Sequence, residues 1–290
     1  MSINGHEAFE QFLDDTRKYF SIDIALEVDK KSNLNKGYFS SSVIGLKNVI
    51  LIHKDPALKE IANIEDFLYF LFIFCHELAH CINRHNYHKD EAEIDTKAIE
   101  AWADYSSTLF AFELLYNGEN TNKILRSYLG EKIDLKRLLI HTANTIAEIY
   151  QTIFKDSDQN TYPLPSSRFH STINGVSAFF SDKFSMQGRI LVTQKILLNI
   201  PEEIHLDVLK WERTESVEED KQEKVVLTKK ILKIHQKIQG KSGAIINDPL
   251  LNWNSVFATN YNLYTDEQRD SIRNILKVIY MAELKRVLDK

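Results

Sequence analysis

The chain is poor in the features that mark several large protein classes. Only two cysteines occur in 290 residues, so no disulfide framework staples the fold. Five prolines and nine glycines are too few for a linker-rich chain, and no internal repeat or low-complexity tract stands out. There is no dense lysine or arginine tract. With a net charge of -5 and both signs interspersed, the chain lacks a nucleic-acid footprint and a membrane-surface face. The apolar run at 67–75 is far too short to span a bilayer, so no membrane span is expected. The first twenty residues are polar and acidic, with no secretory signal in view. Cys75 and Cys81, six residues apart on one predicted helix, point to different faces and cannot easily pair. Two free thiols and no signal lead to the expectation of a reducing cytoplasm.

What is present suits a globular protein, since a hydrophobic fraction of 43% is ample for a sizeable core. Residues 6–20 read as an amphipathic helix, residues 22–28 alternate as a strand, and 37–52 offers two more short strands. Asn63, with Glu65 and Asp66 behind it, predicts a helix over about 64–84. Asp90 can cap a second long helix that stops at Asn117-Gly118. Helical patterns continue at 120–129 and 131–155, break at 156–167 around Pro163 and Pro165, and resume from 169 to 200. Pro201 can open another helix, 213–224 reads as a solvated charged face, and 225–239 and 271–288 are amphipathic, the last entered through Thr265 and Gln268 as a capping box. The fold class expected is α+β, a small N-terminal sheet followed by a helical majority. Residues 1–200 are expected to form one domain, with 201–290 as a helical region packed on it.

One stretch of the 64–84 helix carries chemistry: Cys75-His76-Glu77-Leu78-Ala79-His80-Cys81. Histidines four apart lie about 40° from each other around a helix, so both imidazoles leave one face. Glu77, directly after the first, is placed to take a proton from metal-bound water and deliver it to a leaving amine, as a zinc peptidase requires. The pattern alone is suggestive, since it arises by chance in on the order of a few per cent of chains of this composition, and its context argues for a site. The run before it is apolar on every side, as in a buried helix, and burying two histidines and a glutamate at its end is costly unless they are paired or metal-bound.

Catalytic zinc takes three protein ligands and leaves a position for water, so a third must be found. His85, His88, Asp90, Glu91, Glu93, Asp95, Glu100 and Asp104 are the downstream candidates. Residues 90–97 are crowded with charge and read as solvated. Glu100 differs, because Ala98, Ile99, Ala101, Trp102 and Ala103 around it indicate packing, and a carboxylate entering a core needs a cation. Asp104, one turn on, can accept the free N–H of a zinc-bound histidine.

At this point the pattern resembles a known group. His76-Glu77-x-x-His80 followed by Glu100-x-x-x-Asp104 looks like the gluzincin signature, with a gap similar to that in thermolysin. Glu100-Ala-Trp-Ala-Asp104 also resembles the Glu-x-x-Ala-Asp of the CAAX prenyl protease and heat-shock membrane peptidase family. That family has a later His-Pro followed by Arg, and Tyr162-Pro163-x-x-x-x-Arg168 has the same spacing with tyrosine in place of histidine. The chain departs from the family in lacking transmembrane segments, and soluble phage-exclusion and repressor-cleaving peptidases are similar in spacing. The resemblance implies a zincin-like core, one Zn2+ per chain on His76, His80 and Glu100, Glu77 as base, and Tyr162 and Arg168 at the active site.

The expectation is therefore a cytoplasmic zinc endopeptidase of the gluzincin type, acting on a protein or peptide substrate. Tyr162 would donate a hydrogen bond to the oxyanion and Arg168 would bind a substrate carbonyl or carboxylate. His141 and His170 are rival donors. A protease free in a cytoplasm needs narrow specificity or a trigger, which points to toxin or phage-defence roles. The alternatives are a binding or regulatory protein with a structural zinc, and a metal-dependent hydrolase of a non-peptide amide or ester. His85 and His88 read as a polar loop, His6, His53, His205 and His235 as surface or satisfied core groups, and Cys75 and Cys81 as small buried hydrophobes.

Overall fold

The structure, a computed structural model, describes residues 3–21, 23–29, 39–44, 47–83, 85–87, 96–184, 186–214 and 245–246. Its architecture is α+β with a helical majority and a small mixed sheet. Helix α1 (Gly5–Tyr19) leads through β1 (Phe20–Ser21) to strands β2 (Ile24–Asp29), β3 (Phe39–Ile44) and β4 (Lys47–His53). A short α2 (Lys54–Leu58) precedes α3 (Ile64–Ile82), and a 3-10 turn at His85–Tyr87 follows it. Then come α4 (Thr96–Asn117), α5 (Glu119–Leu129), α6 (Leu135–Ile149) running into a π-helical turn at Tyr150–Phe154, α7 (Pro165–Phe184), α8 (Met186–Leu197), α9 (Glu202–Thr214) and β5 (Ile245–Ile246).

In the three-stranded sheet β4 is central, parallel to β2 and antiparallel to β3, in the order β2-β4-β3. Val49, Ile50 and Ile52 of β4 are buried, as befits a strand with neighbours on both sides. A second pairing, β1 against β5, joins Phe20 to Ile246 and is not foreshadowed by sequence pattern.

Helix α3 forms because Asn63 Oδ1 accepts the Asp66 N–H at 2.8 Å and two acids occupy its first turn. Beyond that turn it is almost wholly enclosed. Phe67, Phe70 and Phe74 meet Phe9 and Phe12 of α1, with Phe9–Phe74 centroids 5.2 Å apart. Each fully buried phenylalanine contributes about 1.5–3 kcal/mol of transfer free energy. No helix among the described residues is long and apolar enough to cross a membrane.

Helix α4 lies between α3 and α7, and Gly175 sets the second contact: a Cβ there would collide with the Tyr105 carbonyl oxygen. Thr108 Oγ1 donates to the Thr172 carbonyl at 2.7 Å across the same seam. Two boundaries differ from expectation. Helix α6 starts at Leu135, where the Asp134 side chain accepts the Lys136 N–H, rather than at 131. Helix α7 starts at Pro165, inside the expected break, because a proline is preorganised for the first helical position. Arg168 is thereby a helical residue and not a loop one. The Asp90 cap, the 225–239 and 271–288 helices and the Thr265/Gln268 box lie outside the described residues, as do His88, Asp90, Glu91, Glu93, Asp95 and His235.

Candidate metal centre

The last two turns of α3 and the first two of α4 face each other, with Ala79, Ala101 and Ala103 buried around the facing side chains. His76 Nε2 and His80 Nε2 stand 3.2 Å apart. Glu100 Oε2 lies 3.3 Å from the first and 3.5 Å from the second. These three are the one group of histidine, cysteine and acidic side chains with metal-ligand spacing among the described residues. Ligand atoms about 2.1 Å from a tetrahedral ion stand roughly 3.4 Å from one another, so the triangle already has the size zinc needs. Glu100 Oε2 is buried without a hydrogen-bond partner. Such an atom is costly unless a cation or proton meets it, and two imidazole nitrogens with one carboxylate oxygen is a donor set zinc accepts.

Charge at the site is tightly coupled. Burial alone would raise the Glu100 carboxyl, but the His80 and His76 imidazoles facing it hold it well below the usual carboxylate range. Burial works against the His76 imidazolium too, yet the Asp104 and Glu100 carboxylates beside it outweigh that and lift its pKa to about 10. The carboxylates thus have more hold on His76 than water would have, which is how a ligand's ring is kept in place.

Asp104 Oδ1 sits 3.2 Å from His76 Nδ1, and the carboxylate is 2% exposed. Arg168 grips its other side, Nε to Oδ2 at 2.7 Å and a terminal nitrogen to Oδ1 at 2.9 Å. This bidentate pair, with the guanidinium carbon over the Phe154 and Tyr162 rings at 4.2 and 4.6 Å from their centroids, explains why arginine stands here. The expected free arm for a substrate carboxylate is therefore occupied by Asp104. The remaining Nη1, buried and without a hydrogen-bond partner, is what the side chain has left to offer.

Two hollows meet at His76, Glu77 and Tyr162. The larger, about 620 Å³, is walled by Tyr69, Phe72 and Ile73 of α3 and by Ile149, Ile153 and Phe154 around the π-helical turn. The smaller, about 210 Å³, is polar and bounded by Ser40, Ser41, His80, Asn86 and Glu100. Phe39 of edge strand β3 borders both. Tyr162 is pushed up to about 12 by burial and by the negative charge of Glu100, so its hydroxyl keeps its proton through neutral pH.

No known protein family, characterised protein or solved structure matches this chain.

The rival donors lie elsewhere. His141 Nδ1 is 2.6 Å from Glu65 Oε1 at the opposite end of α3, and His170 packs beside Phe169 and borders neither hollow. Burial pushes both the Cys75 and Cys81 thiols up, and neither joins the cluster. His85 is the departure from the sequence reading. Expected in a polar loop, it is 2% exposed with Nδ1 2.9 Å from His80 Nδ1. Its position five residues beyond His80 carried no helical-face signal, because the 3-10 turn changes the period there.

Proposed function

We propose that this chain is a cytoplasmic, zinc-dependent endopeptidase of the gluzincin type. The observation that carries the reading is the convergence of His76, His80 and Glu100 beside Glu77, at the meeting of two hollows that an edge strand borders. His76, His80 and Glu100 would hold the zinc ion, which would supply Lewis acidity to a water at its open position. Glu77 takes a proton from the attacking water and returns it to the leaving amine nitrogen as the C–N bond breaks. Tyr162 donates its O–H to the oxygen of the scissile carbonyl as negative charge grows there. Asp104, anchored by Arg168, orients His76.

A peptide substrate is favoured over a smaller amide or ester by what surrounds these groups. Among the described residues strand β3 ends the sheet order, so an extended chain can add to its outer edge while passing His76 and Glu77. The larger hollow, walled by aromatic and branched side chains, suits a bulky apolar residue next to the scissile bond. Purified protein with one equivalent of zinc should cut a subset of proteins in a mixed lysate, scored by mass spectrometry, with large apolar residues at the cut sites. Glu77→Gln should keep zinc and fold while losing turnover by about 10²- to 10⁴-fold. Full activity of that variant with zinc confirmed, or turnover of esters without any peptide cleavage, overturns the reading.

A further inference from the structure

We infer that His85 is a positioning residue for the metal centre, fixing the ring and tautomer of His80 and tying that ligand to edge strand β3. The inference rests on the metal reading above and adds a residue to it. Two ring nitrogens 2.9 Å apart share one hydrogen, so one donates and the other accepts. His80 turns Nε2 toward His76 and Glu100. A nitrogen whose lone pair faces a metal carries no proton, so the proton of His80 is on Nδ1. That N–H donates to the lone pair of His85 Nδ1, and His85 in turn keeps its own proton on Nε2. The rings meet edge-on, with centroids 5.1 Å apart and planes at 71°, which points a ring-plane N–H of one at the other.

The turn that holds His85 is itself fastened. Asn86 Nδ2 donates to Ser41 Oγ at 3.1 Å, joining the 3-10 turn to β3. A line of contacts therefore runs from the edge strand through Asn86 and His85 to His80. The two histidines of the centre are supported differently: His76 leans on a carboxylate that an arginine anchors, His80 on an imidazole that the sheet anchors. A side chain buried to 2% in the expected place of a polar loop needs such a partner, since an unmatched ring nitrogen there costs free energy.

The test titrates Co2+ and Zn2+ into the metal-free chain and follows the cobalt absorption bands. His85→Phe keeps a flat ring and removes the acceptor; His85→Asn keeps an acceptor where Nδ1 stood. The phenylalanine variant should bind about 10- to 100-fold more weakly with altered cobalt bands, and the asparagine variant should recover most of that loss. Equal affinity and spectrum in His85→Phe, or an asparagine variant as weak as it, overturns the inference. Should the phenylalanine variant fail to fold, nitrogen NMR of the zinc-loaded native chain decides: a hydrogen-bond coupling between the His80 Nδ1–H and His85 Nδ1 supports the assignment, and an Nδ1 proton of His80 without that coupling refutes it. A native chain that takes up neither metal refutes the centre as a whole, a result separate from any effect of His85.

Discussion

At its first turn α3 offers Glu65 to His141, with Oε1 2.6 Å from Nδ1 and Asn144 Nδ2 3.2 Å away; at its last turns it offers His76 and His80 to Glu100. Both ends hold a histidine against a glutamate. At the first end one histidine and one amide donor meet a carboxylate oxygen that water also reaches, with 18% of the His141 and 28% of the Glu65 side chain exposed. At the second end two imidazole nitrogens crowd one buried carboxylate oxygen that has no hydrogen-bond partner. His141 Nε2 also lacks a hydrogen-bond partner, yet no further ligand atoms gather around it among the described residues. A histidine–carboxylate contact is thus common to an ordinary surface pair and a candidate centre. Convergence of several lone pairs on one point is what calls for a cation.

Removing the glutamate at each end should separate the two most strongly. Glu100→Ala should weaken zinc by about 10²- to 10³-fold, roughly one ligand's share of the binding free energy that zinc sites gather. Glu65→Ala should leave the zinc affinity where it was. Competition with a chromogenic chelator reads both, and equal retention of zinc in the two variants refutes the Glu100 assignment.

Catalysis separates the ends in the same way. Tyr162 borders both hollows at the second end, whereas His141 is held by Glu65 at the first. Tyr162→Phe should lower kcat by about 10²- to 10³-fold with zinc content unchanged, the loss of one oxyanion donor. His141→Gln should leave kcat unchanged. Because the Tyr162 hydroxyl titrates only at about 12, native activity should show no alkaline limb near pH 10 from this group. A pH profile that falls there in the native chain and not in Tyr162→Phe contradicts the raised pKa, and equal kcat in the native and Tyr162→Phe chains contradicts the donor role.

Much of this was legible in the sequence, and the parts that were not have physical reasons. The α3 cap, the strands and the helical majority follow from local signals: Asn63 before two acids, β-branched runs, and apolar periodicity. His76, His80 and Glu100 could be named together because helical period places the first two and an alanine-rich neighbourhood marks the third. Arg168 was named, but the expected loop hid its partner: only the α7 start at Pro165 and the close crossing at Gly175 bring it against Asp104. His85 stands among the downstream candidates but reads as polar loop, since nothing periodic links a 3-10 turn to the helix before it. Tertiary pairs across turns leave no trace in spacing.

A smaller effect tests how the second end is braced. Asp104→Asn keeps the size of the side chain and removes the charge that faces both Arg168 and His76. Zinc should weaken by about 10- to 100-fold, the usual scale when a ligand's hydrogen-bond partner is lost. The melting temperature of the chelator-treated protein should also fall, because the Arg168 guanidinium stays buried with its charge unmatched. A lower melting temperature with zinc affinity intact means that Asp104 serves the α4–α7 contact and not the metal.

The smallest effect belongs to the first end, where acid should undo the pair. Burial would raise the Glu65 carboxyl, but hydrogen bonds from His141 and Asn144 bring it below the ordinary glutamate value of 4.5. A carboxyl whose pKa is lower in the folded state stabilises fully above its unfolded value, and that contribution is lost as pH falls through the folded one. The glutamate also sits in the first turn of α3, where negative charge meets the helix dipole. Partial exposure limits the total, so Glu65→Gln should cost under about 1 kcal/mol at neutral pH. Thermal melts of the native and variant chains should converge once pH has fallen below the folded pKa of Glu65, where both side chains are uncharged. A gap that persists there assigns the loss to packing, whereas a neutral-pH loss of zinc in the same variant shows that the two ends of α3 are coupled rather than independent.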